Sequence, residues 1–178
     1  MGGMESASSG VLLHQATPND NDSVARVHVR SWQQAYRGLL PDHYLDALDP
    51  VDRASRYTFG DMRSDGPVTT VAVVEGVVCG FATTGRCHDP ATPDVGELFA
   101  IYVDPEWWNH GIGQILIHDA RDRLAAVGCP EVVLWVLVGN ARAESFYRRD
   151  GWSTDGQRRV EEVHGVSVDE LRYRRALP

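Results

Sequence analysis

One stretch of the sequence decides the fold: residues 97–114 read ELFAIYVDPEWWNHGIGQ. Residues 98–103 form an apolar run typical of a buried strand, and Pro105 stops the strand's ladder because proline has no backbone N–H to donate. A short loop then brings Gly111 and Gly113 to the first turn of a helix, where backbone N–H groups lack a partner inside the helix. Glycines let a ligand approach those groups, and the helix dipole favours an anion such as a diphosphate. A tight turn that uses glycine only for packing is the alternative.

A second informative stretch, residues 134–152, reads LWVLVGNARAESFYRRDGW. Asn140 is a good N-cap for a short helix over residues 141–149. Tyr147 follows Asn140 by nearly two helical turns, so the amide and the phenol share one helix face beside the end of a strand. A simple cap and a core tyrosine would produce the same pattern, so this stretch alone does not decide a function.

The remaining residues supply the other elements of a mixed α/β sheet. Strands are predicted at residues 11–16, 68–74, 77–84, 98–103 and 132–138, and helices at residues 23–36, 44–48, 111–127 and 141–149. The tail, from about residue 157 to 175, reads as a hairpin that turns at His164 and Gly165. The order is β-αα-βββ-α-β-α-ββ, with one clear β-α-β crossover. We expect residues 1–10 to be a disordered leader and residues 11–178 to form a single domain.

Composition excludes several classes of function. All 17 basic residues are arginine, which excludes Schiff-base enzymes, Walker-type phosphate loops and Ser–Lys hydrolases. The formal net charge of −8 argues against a nucleic-acid partner and favours cationic partners. No apolar run is long enough to predict a membrane span. The scattered cysteines Cys79, Cys87 and Cys129 are typical of small buried side chains in a reducing cytoplasm, and we expect no metal.

Taken together, the two stretches resemble the GNAT superfamily of acyl-CoA-dependent N-acetyltransferases. Residues 103–113, VDPEWWNHGIG, are similar to that family's V-x-P-x-x-W-G-R-G-I-G segment, and residues 140–152 to its N-x-x-A-x-x-F-Y-x-x-x-G-F segment. The order of elements agrees across residues 11–176, and residues 27–41 are similar to the first helices of many members. Asn109 and His110 depart from the usual Gly-Arg, and Trp108 stands where many members have Gln or Arg.

The resemblance implies acetyl transfer from acetyl-CoA to a primary amine by direct attack in a ternary complex. It makes Glu97 the expected base and Tyr147 the expected general acid toward the leaving thiolate. The strand at Ile101, Tyr102 and Val103 would hydrogen-bond the pantetheine arm, and Asn140 would hold the arm from the other side. The diphosphate would lie on the loop and first helical turn, at Trp108, Asn109, His110, Gly111, Ile112, Gly113 and Gln114.

Elementary acid–base chemistry explains why both roles are needed. An alkylamine with a pKa near 10.4 is free base about once in 10³ molecules at pH 7, a deficit of about 4–5 kcal/mol. Besides Glu97, the candidates for the base are Asp104, Glu161, Glu162 and His164. A phenol pKa of about 10 exceeds a thiol pKa of about 8.5, so full proton transfer to the thiolate costs about 2 kcal/mol. Hydrogen bonding to the thiolate is therefore the alternative role for the tyrosine.

The acceptor is less well defined by the sequence. Trp32, Tyr36 and Tyr44 lie on the first two helices, which in the family form one wall of the acceptor cleft, and aromatic rings suit a cation. Core packing explains Trp32 and Tyr44 equally well. Small amines, aminoglycosides, polyamines and protein N-termini all remain open, and the acidic chain favours a small cationic amine.

Two further alternatives remain open at this point. A non-catalytic acyl-CoA-binding regulatory module would keep Gly111, Gly113 and Asn140 but would need neither proposed catalytic side chain. A homodimer through the tail strands is an option that no pattern in the sequence decides.

Overall fold

The structure, a computed structural model, describes residues 10–60, 66–89, 91–163 and 165–178. Within these ranges the strands are β1 (Val11–Gln15), β2 (Val68–Val74), β3 (Val77–Arg86), β4 (Gly96–Val103), β5 (Glu131–Leu137), β6 (Ser153–Val163) and β7 (Val166–Ala176). They form one sheet in the order β1-β2-β3-β4-β5-β7-β6, antiparallel throughout except for the parallel pair β4 and β5. The predicted fold class, a mixed and mostly antiparallel sheet, is confirmed.

Helices cover both faces of this sheet. They are α1 (Asn21–Ala35), α2 (Asp42–Asp46), α3 (Pro50–Ala54), α4 (Ile112–Ala126) and α5 (Ala141–Arg149). Val71 packs with α1, whereas its neighbour Ala72 packs with α4, because successive side chains of a strand point to opposite faces. None of the helices in the described ranges is long and apolar enough to cross a membrane.

The structure differs from the prediction at two elements. The sequence pattern missed α3, although Asp49 accepts a hydrogen bond from the Val51 N–H at 2.8 Å and Pro50 occupies its first turn. Only Ala54 of this helix is buried, so no periodic apolar pattern marks it. Strand β6 begins at Ser153 rather than near residue 157. Residues 1–9 of the expected leader and the predicted turn residue His164 lie outside the described residues, and the division into leader and domain stays a prediction.

A split between β4 and β5 shapes the rest of the molecule. These strands pair only at Gly96 with Val132 and at Glu97 with Val133, and beyond that point they diverge. A bulge on the other side of β4 leaves Phe99 without a partner on β3. Because diverging strands leave backbone groups without a ladder partner, the split is a place where a ligand can satisfy them.

Candidate active site

Two cavities meet at the split between β4 and β5. The first, of about 440 Å³, lies against α4 and α5 and is called the α5 cavity here. The second, of about 390 Å³, lies against the hairpin of β6 and β7 and is called the hairpin cavity. The residues that line both cavities are Tyr36, Leu98, Phe99, Tyr102, Trp135 and Leu137. The two spaces therefore adjoin at a shared wall of mostly aromatic and aliphatic side chains.

The first turn of α4 is open toward the α5 cavity. Gly111 is its N-cap residue with φ of +82°, and no side chain among the described residues caps this end. By contrast, the Asn140 side chain caps α5, accepting a hydrogen bond from the Ala143 N–H at 3.1 Å. A Cβ on Gly113 would lie 3.2 Å from the Phe146 ring, so this glycine lets α5 pack closely. The uncapped turn has the free N–H groups that the sequence predicted for an anion.

Most residues predicted to bind the cofactor line this cavity. They are Ile101, Tyr102, Val103, Trp108, Asn109, Gly111, Ile112, Gly113, Gln114, Asn140 and Tyr147. His110 is the exception: it is exposed and outside the lining, with Nδ1 2.8 Å from the Trp108 carbonyl oxygen. The Val103 carbonyl accepts hydrogen bonds from the Ser31 hydroxyl at 2.8 Å and the Trp108 indole N–H at 2.7 Å, so both of its lone pairs are taken.

Sequence reasoning missed two arginines in the α5 cavity. Arg142 and Arg149 both line it, and no acidic side chain of the described residues does. The guanidinium carbon of Arg142 lies 3.5 Å from the Trp108 ring centroid. Their spacing in the sequence could have indicated this. Arg142 and Arg149 are nearly two helical turns apart, as Asn140 and Tyr147 are, so both arginines lie on one side of α5.

Tyr147 lies deep in the α5 cavity with 8% of its surface exposed. Burial raises the pKa of Tyr147 well above the ordinary phenol value, and the nearby Tyr102 adds to the rise. Burial also raises the pKa of Tyr36, with Tyr102 and Tyr147 contributing. The hydroxyls of Tyr36, Tyr102 and Tyr147 lie close enough to affect one another's pKa, and Tyr36 and Tyr102 belong to the shared wall of the two cavities. Tyr147 is thus better suited to donate a hydrogen bond than to give up its proton.

Glu97 faces the other space. It lines the hairpin cavity, not the α5 cavity, and is 7% exposed. Burial raises the pKa of Glu97, while a hydrogen bond from the Cys87 thiol and the charges of Arg159 and His88 oppose that rise. A carboxylate whose pKa is moved toward neutrality is a better proton acceptor in this pH range. Cys79 and Cys129 are buried as expected, but Cys87 is only half-buried and lines the hairpin cavity.

The hairpin cavity is rich in carboxylates. Its acidic lining residues are Asp89, Glu97, Glu161 and Glu170. Arg159 also lines it, but its Nε donates to Glu170 at 2.7 Å and its Nη1 lies 3.3 Å from Glu161. The other lining arginine, Arg172, pairs with Asp155 at 2.7 Å. Arg159 is thus paired with two of the four lining carboxylates, and Arg172 with a carboxylate outside the lining. Because four carboxylates face two arginines, the lining keeps a formal net negative charge.

The alternative bases differ in position. Glu161 lines the hairpin cavity, whereas Glu162 is exposed and lines neither space. Asp104 lies 2.9 Å from the Nε of Arg30 and accepts the Glu106 N–H at 3.1 Å, also outside both cavities. Glu170, which the sequence did not single out, joins the acidic lining because it lies opposite Leu137 across the β5–β7 ladder.

The three predicted acceptor residues separate in the structure. Trp32 lines the hairpin cavity and Tyr36 lines both cavities, with their rings 5.0 Å apart in a T-shaped arrangement. Tyr44 lines neither of these cavities, so the structure does not bring it together with the other two at the cavity walls. Tyr44 packs against the apolar cluster around Leu45 and Val168, which Trp32 and Tyr36 also contact.

The family model of the acetyltransferase (GNAT) family matches residues 29–152, which include both motifs and the split. The chain belongs to the GNAT acetyltransferase family. A probable N-acetyltransferase of Mycobacterium tuberculosis is 27% identical over 93% of this chain and 94% of its own length. An aminoglycoside N(6′)-acetyltransferase of Stenotrophomonas maltophilia is 28% identical over 81% of this chain and 87% of its own length.

A solved GNAT structure has the same fold. The PaiA N-acetyltransferase from Thermoplasma acidophilum, crystallised with coenzyme A, covers 90% of this chain and 98% of its own with a TM-score of 0.69 and 18% identity. Family membership makes this GNAT protein an acyl-CoA-dependent acetyltransferase that acts on acetyl-CoA.

Proposed function

We propose that this GNAT enzyme transfers an acetyl group from acetyl-CoA to the primary amine of a small cationic acceptor by direct attack in a ternary complex. The observation that carries the proposal is the opposite charge of the two adjoining cavities. The α5 cavity combines Arg142, Arg149 and the uncapped turn at Gly111, whereas four carboxylates line the hairpin cavity. A polyanionic donor and a cationic acceptor are each attracted to a different space.

The shape of the α5 cavity supports the assignment of the donor. The open turn of α4 offers backbone N–H groups to the diphosphate, and residues 101–103 of β4 run along the split where the pantetheine arm would lie. Because the Val103 carbonyl already accepts two hydrogen bonds, the arm would use other backbone groups of β4. Asn140 has its Oδ1 engaged in the cap, which leaves its side-chain NH₂ to donate to a pantetheine carbonyl.

The two proposed catalytic side chains stand on opposite sides of the shared wall. The amine nitrogen attacks the acetyl carbonyl carbon, Glu97 accepts the amine proton directly or through water, and the bond to sulfur breaks. Tyr147 donates a hydrogen bond to the departing thiolate, since its raised pKa disfavours full proton transfer. Adjacent cavities allow both substrates to be present at once, which a direct attack requires.

The acceptor class follows from the charge and the rings of the hairpin cavity. Trp32 and Tyr36 offer aromatic faces, and Glu170, which pairs with Arg159, places a carboxylate near Tyr36. Burial is the main reason that the pKa of Tyr36 is raised, and Glu170 adds to the rise. Cations bind well between such groups. Protein N-terminal acetylation is the competing acceptor class, since solved neighbours include ribosomal-protein-alanine N-acetyltransferases from Brucella melitensis and Escherichia coli.

A thiol-release assay tests the acceptor class directly. Purified enzyme and acetyl-CoA are given a panel of monoamines, diamines, an aminoglycoside, an anionic amino acid and alanine-terminated peptides. We expect multiply charged small amines to give the highest kcat/KM. Turnover confined to the peptides or to the anionic amino acid would reject the proposal. Thiol release with no acceptor dependence would point to hydrolysis instead of transfer.

Glu170→Gln and Glu162→Gln form a matched pair for the cationic site. Both remove one carboxylate from the tail hairpin, but only Glu170 lines the cavity. For a cationic acceptor we expect Glu170→Gln to raise KM about tenfold with little change in kcat. The substitution removes one negative charge and leaves Arg159, which pairs with Glu170 at 2.7 Å, less compensated, and both changes weaken cation binding equally in the ground state and the transition state. Glu162→Gln should behave as the wild type. Equal KM values for the two variants would contradict the cationic site.

Initial-velocity patterns test the direct attack. Because the Cys87 thiol lies beside Glu97 in the hairpin cavity, an acetyl-cysteine intermediate is the competing route. We expect intersecting double-reciprocal lines and retained turnover in Cys87→Ala. Parallel lines, together with loss of turnover in Cys87→Ala, would establish the covalent route.

A further inference from the structure

The loop before α4, residues 104–111, lacks the arginine side chain that is usual in this segment of the GNAT family. Position 110 carries His where Arg is usual, and His110 is exposed and does not line the α5 cavity. With no lysine in the chain, any side-chain cation for the phosphates of CoA must be an arginine from elsewhere.

Arg142 on α5 contacts that loop at Trp108. Its guanidinium stacks on Trp108 with the guanidinium carbon 3.5 Å from the ring centroid, and both residues line the cavity. Trp108 is itself fixed, because its indole N–H donates to the Val103 carbonyl at 2.7 Å. A planar guanidinium held against a fixed ring keeps its N–H edge free for a phosphate.

In the part of the chain that the structure describes, no carboxylate pairs with the charge of Arg142. Most described arginines lie within 4.0 Å of a carboxylate, and those that do not are Arg26, Arg53, Arg142 and Arg149. Arg142 and Arg149 line the α5 cavity, where no described side chain is acidic. Partial burial also lowers the pKa of Arg142, so its cation is incompletely solvated and gains from an anion.

We propose that Arg142, stacked on Trp108, binds a phosphate group of CoA and replaces the cation missing at position 110. The inference rests on acetyl-CoA being the acetyl donor. Trp108 is then the platform that orients the arginine, which gives a reason for tryptophan at a position where many relatives carry Gln or Arg. The phosphate is either the diphosphate or the 3′-phosphate, and the ligand series below separates the two.

Calorimetric binding of CoA to Arg142→Ala and Arg26→Ala tests the proposal. Both variants remove one arginine charge, but Arg26 is exposed on α1 and lines neither cavity. We expect Kd for CoA to rise about 10- to 100-fold in Arg142→Ala, the usual loss for a charge-assisted hydrogen bond, and to stay within about twofold in Arg26→Ala. Pantetheine, which has no phosphate, should bind both variants like the wild type.

Further ligands and variants complete the design. If dephospho-CoA loses as much affinity as CoA in Arg142→Ala, the contact is to the diphosphate; if it loses none, the contact is to the 3′-phosphate. Trp108→Leu should weaken CoA binding, and Arg142→Ala should then add little, because the two side chains act as one unit. Trp108→Phe, which keeps an aromatic face, should retain most of the affinity.

The contrary outcomes are distinct. Equal CoA affinities for Arg142→Ala and Arg26→Ala would overturn the proposal while leaving the donor assignment intact. If the losses of CoA binding free energy caused by Trp108→Leu and Arg142→Ala add fully, the two side chains do not act as one unit, and the proposal that Trp108 orients Arg142 is overturned. A wild-type protein that binds no CoA would instead reject acetyl-CoA as the donor.

Discussion

Burial decides what Tyr147 can do in the reaction. Its pKa lies well above the ordinary phenol value because the hydroxyl sits deep in the α5 cavity. A phenol this weak donates a hydrogen bond to a thiolate more readily than it transfers its proton. The residue therefore belongs to the stabilisation of the leaving group in the proposed mechanism.

Tyr147→Phe tests this role. We expect kcat to fall about 100-fold, the scale of losing one donor to a developing anion, while Kd for acetyl-CoA stays within about twofold. Because the raised pKa keeps the Tyr147 hydroxyl protonated, this residue should not titrate below pH 9. The wild type and Tyr147→Phe should therefore have pH–rate profiles of the same shape up to that pH. Stopped-flow turnover and calorimetric binding measure both quantities. Unchanged kcat would remove Tyr147 from catalysis.

Burial also raises the pKa of Glu97, but for a proton acceptor the higher pKa makes the group a stronger base. Burial raises the pKa of its carboxyl, so the ionised base becomes available only above a pH higher than an ordinary glutamate requires. The acid limb of the kcat/KM profile should therefore lie above the ordinary glutamate pKa of about 4.3.

Glu97→Gln should abolish that limb. We expect its loss of kcat/KM to be greatest near neutral pH and to shrink as pH approaches the pKa of the amine, which then deprotonates without a base. A pH–rate series on the wild type, Glu97→Gln and the exposed Glu162→Gln provides the measurement. A variant that keeps the wild-type acid limb would assign the base to another group, with Glu161 the next candidate in the same cavity.

At the scale of elements, the glycines at the two ends of α4 can be compared to separate a ligand-binding role from a structural one. Gly111 precedes the helix and Gly128 follows it, both with φ of +82° and both with open space where a Cβ would stand. Only Gly111 lines the α5 cavity. The pair separates backbone strain from ligand contact, since the strain is the same at both positions.

Gly111→Ala and Gly128→Ala should cost similar stability and differ in binding. We expect each to lower the free energy of unfolding by about 1–2 kcal/mol, because alanine is strained at positive φ. Only Gly111→Ala should weaken CoA binding, since the strain is relieved by moving the turn that we propose binds the diphosphate. Urea unfolding and calorimetry give the two readouts. Equal CoA affinity for both variants would show that the turn at Gly111 is structural.

At the scale of the whole molecule, a buried histidine links stability to pH. His28 of α1 packs among the rings of Trp32, Phe81 and Tyr102, and its Nδ1 lies 2.9 Å from the Tyr57 hydroxyl. Burial lowers the pKa of His28 to about 3. An unfolded histidine has a pKa of about 6.5, so below that pH the unfolded chain takes up a proton that the folded protein cannot.

The free energy of unfolding should therefore fall as pH drops below about 6.5, by up to about 1.4 kcal/mol per pH unit from this residue. Between pH 7 and 5 the wild type should lose about 2 kcal/mol more than His28→Gln, in which the titrating group is gone. Urea unfolding at the two pH values measures the difference. His43→Gln, at an exposed position on α2, should keep the wild-type dependence. Parallel curves for the wild type and His28→Gln would contradict the prediction.

The sequence singled out much of the lining of the α5 cavity, because local signals mark those residues. Gly111, Gly113 and Asn140 occupy positions that helix ends require, and Tyr147 follows Asn140 on the same helix face. Such relations depend only on helical geometry and backbone sterics. Tyr44 lies outside both cavities, and the sequence could not show this because an aromatic ring on a short amphipathic helix fits a core and a cleft equally well.

Arg142 and Glu170 were missed for a different reason. Each owes its place to a partner distant in the sequence: Arg142 stacks on Trp108, and Glu170 reaches the hairpin cavity from β7, across β5 from Glu97 on β4. The pairing of distant residues depends on strand order and on the divergence of β4 from β5, which no local pattern encodes.

The sequence by itself determined the order of the strands, the open turn before α4 and the exclusion of lysine chemistry, because these depend on residue type and short spacing. Only the tertiary structure decided that the split yields two adjoining cavities of opposite charge. The sign of a cavity's charge depends on which arginines are neutralised by carboxylates and which are left facing the ligand. That balance is set when distant strands and helices pack together.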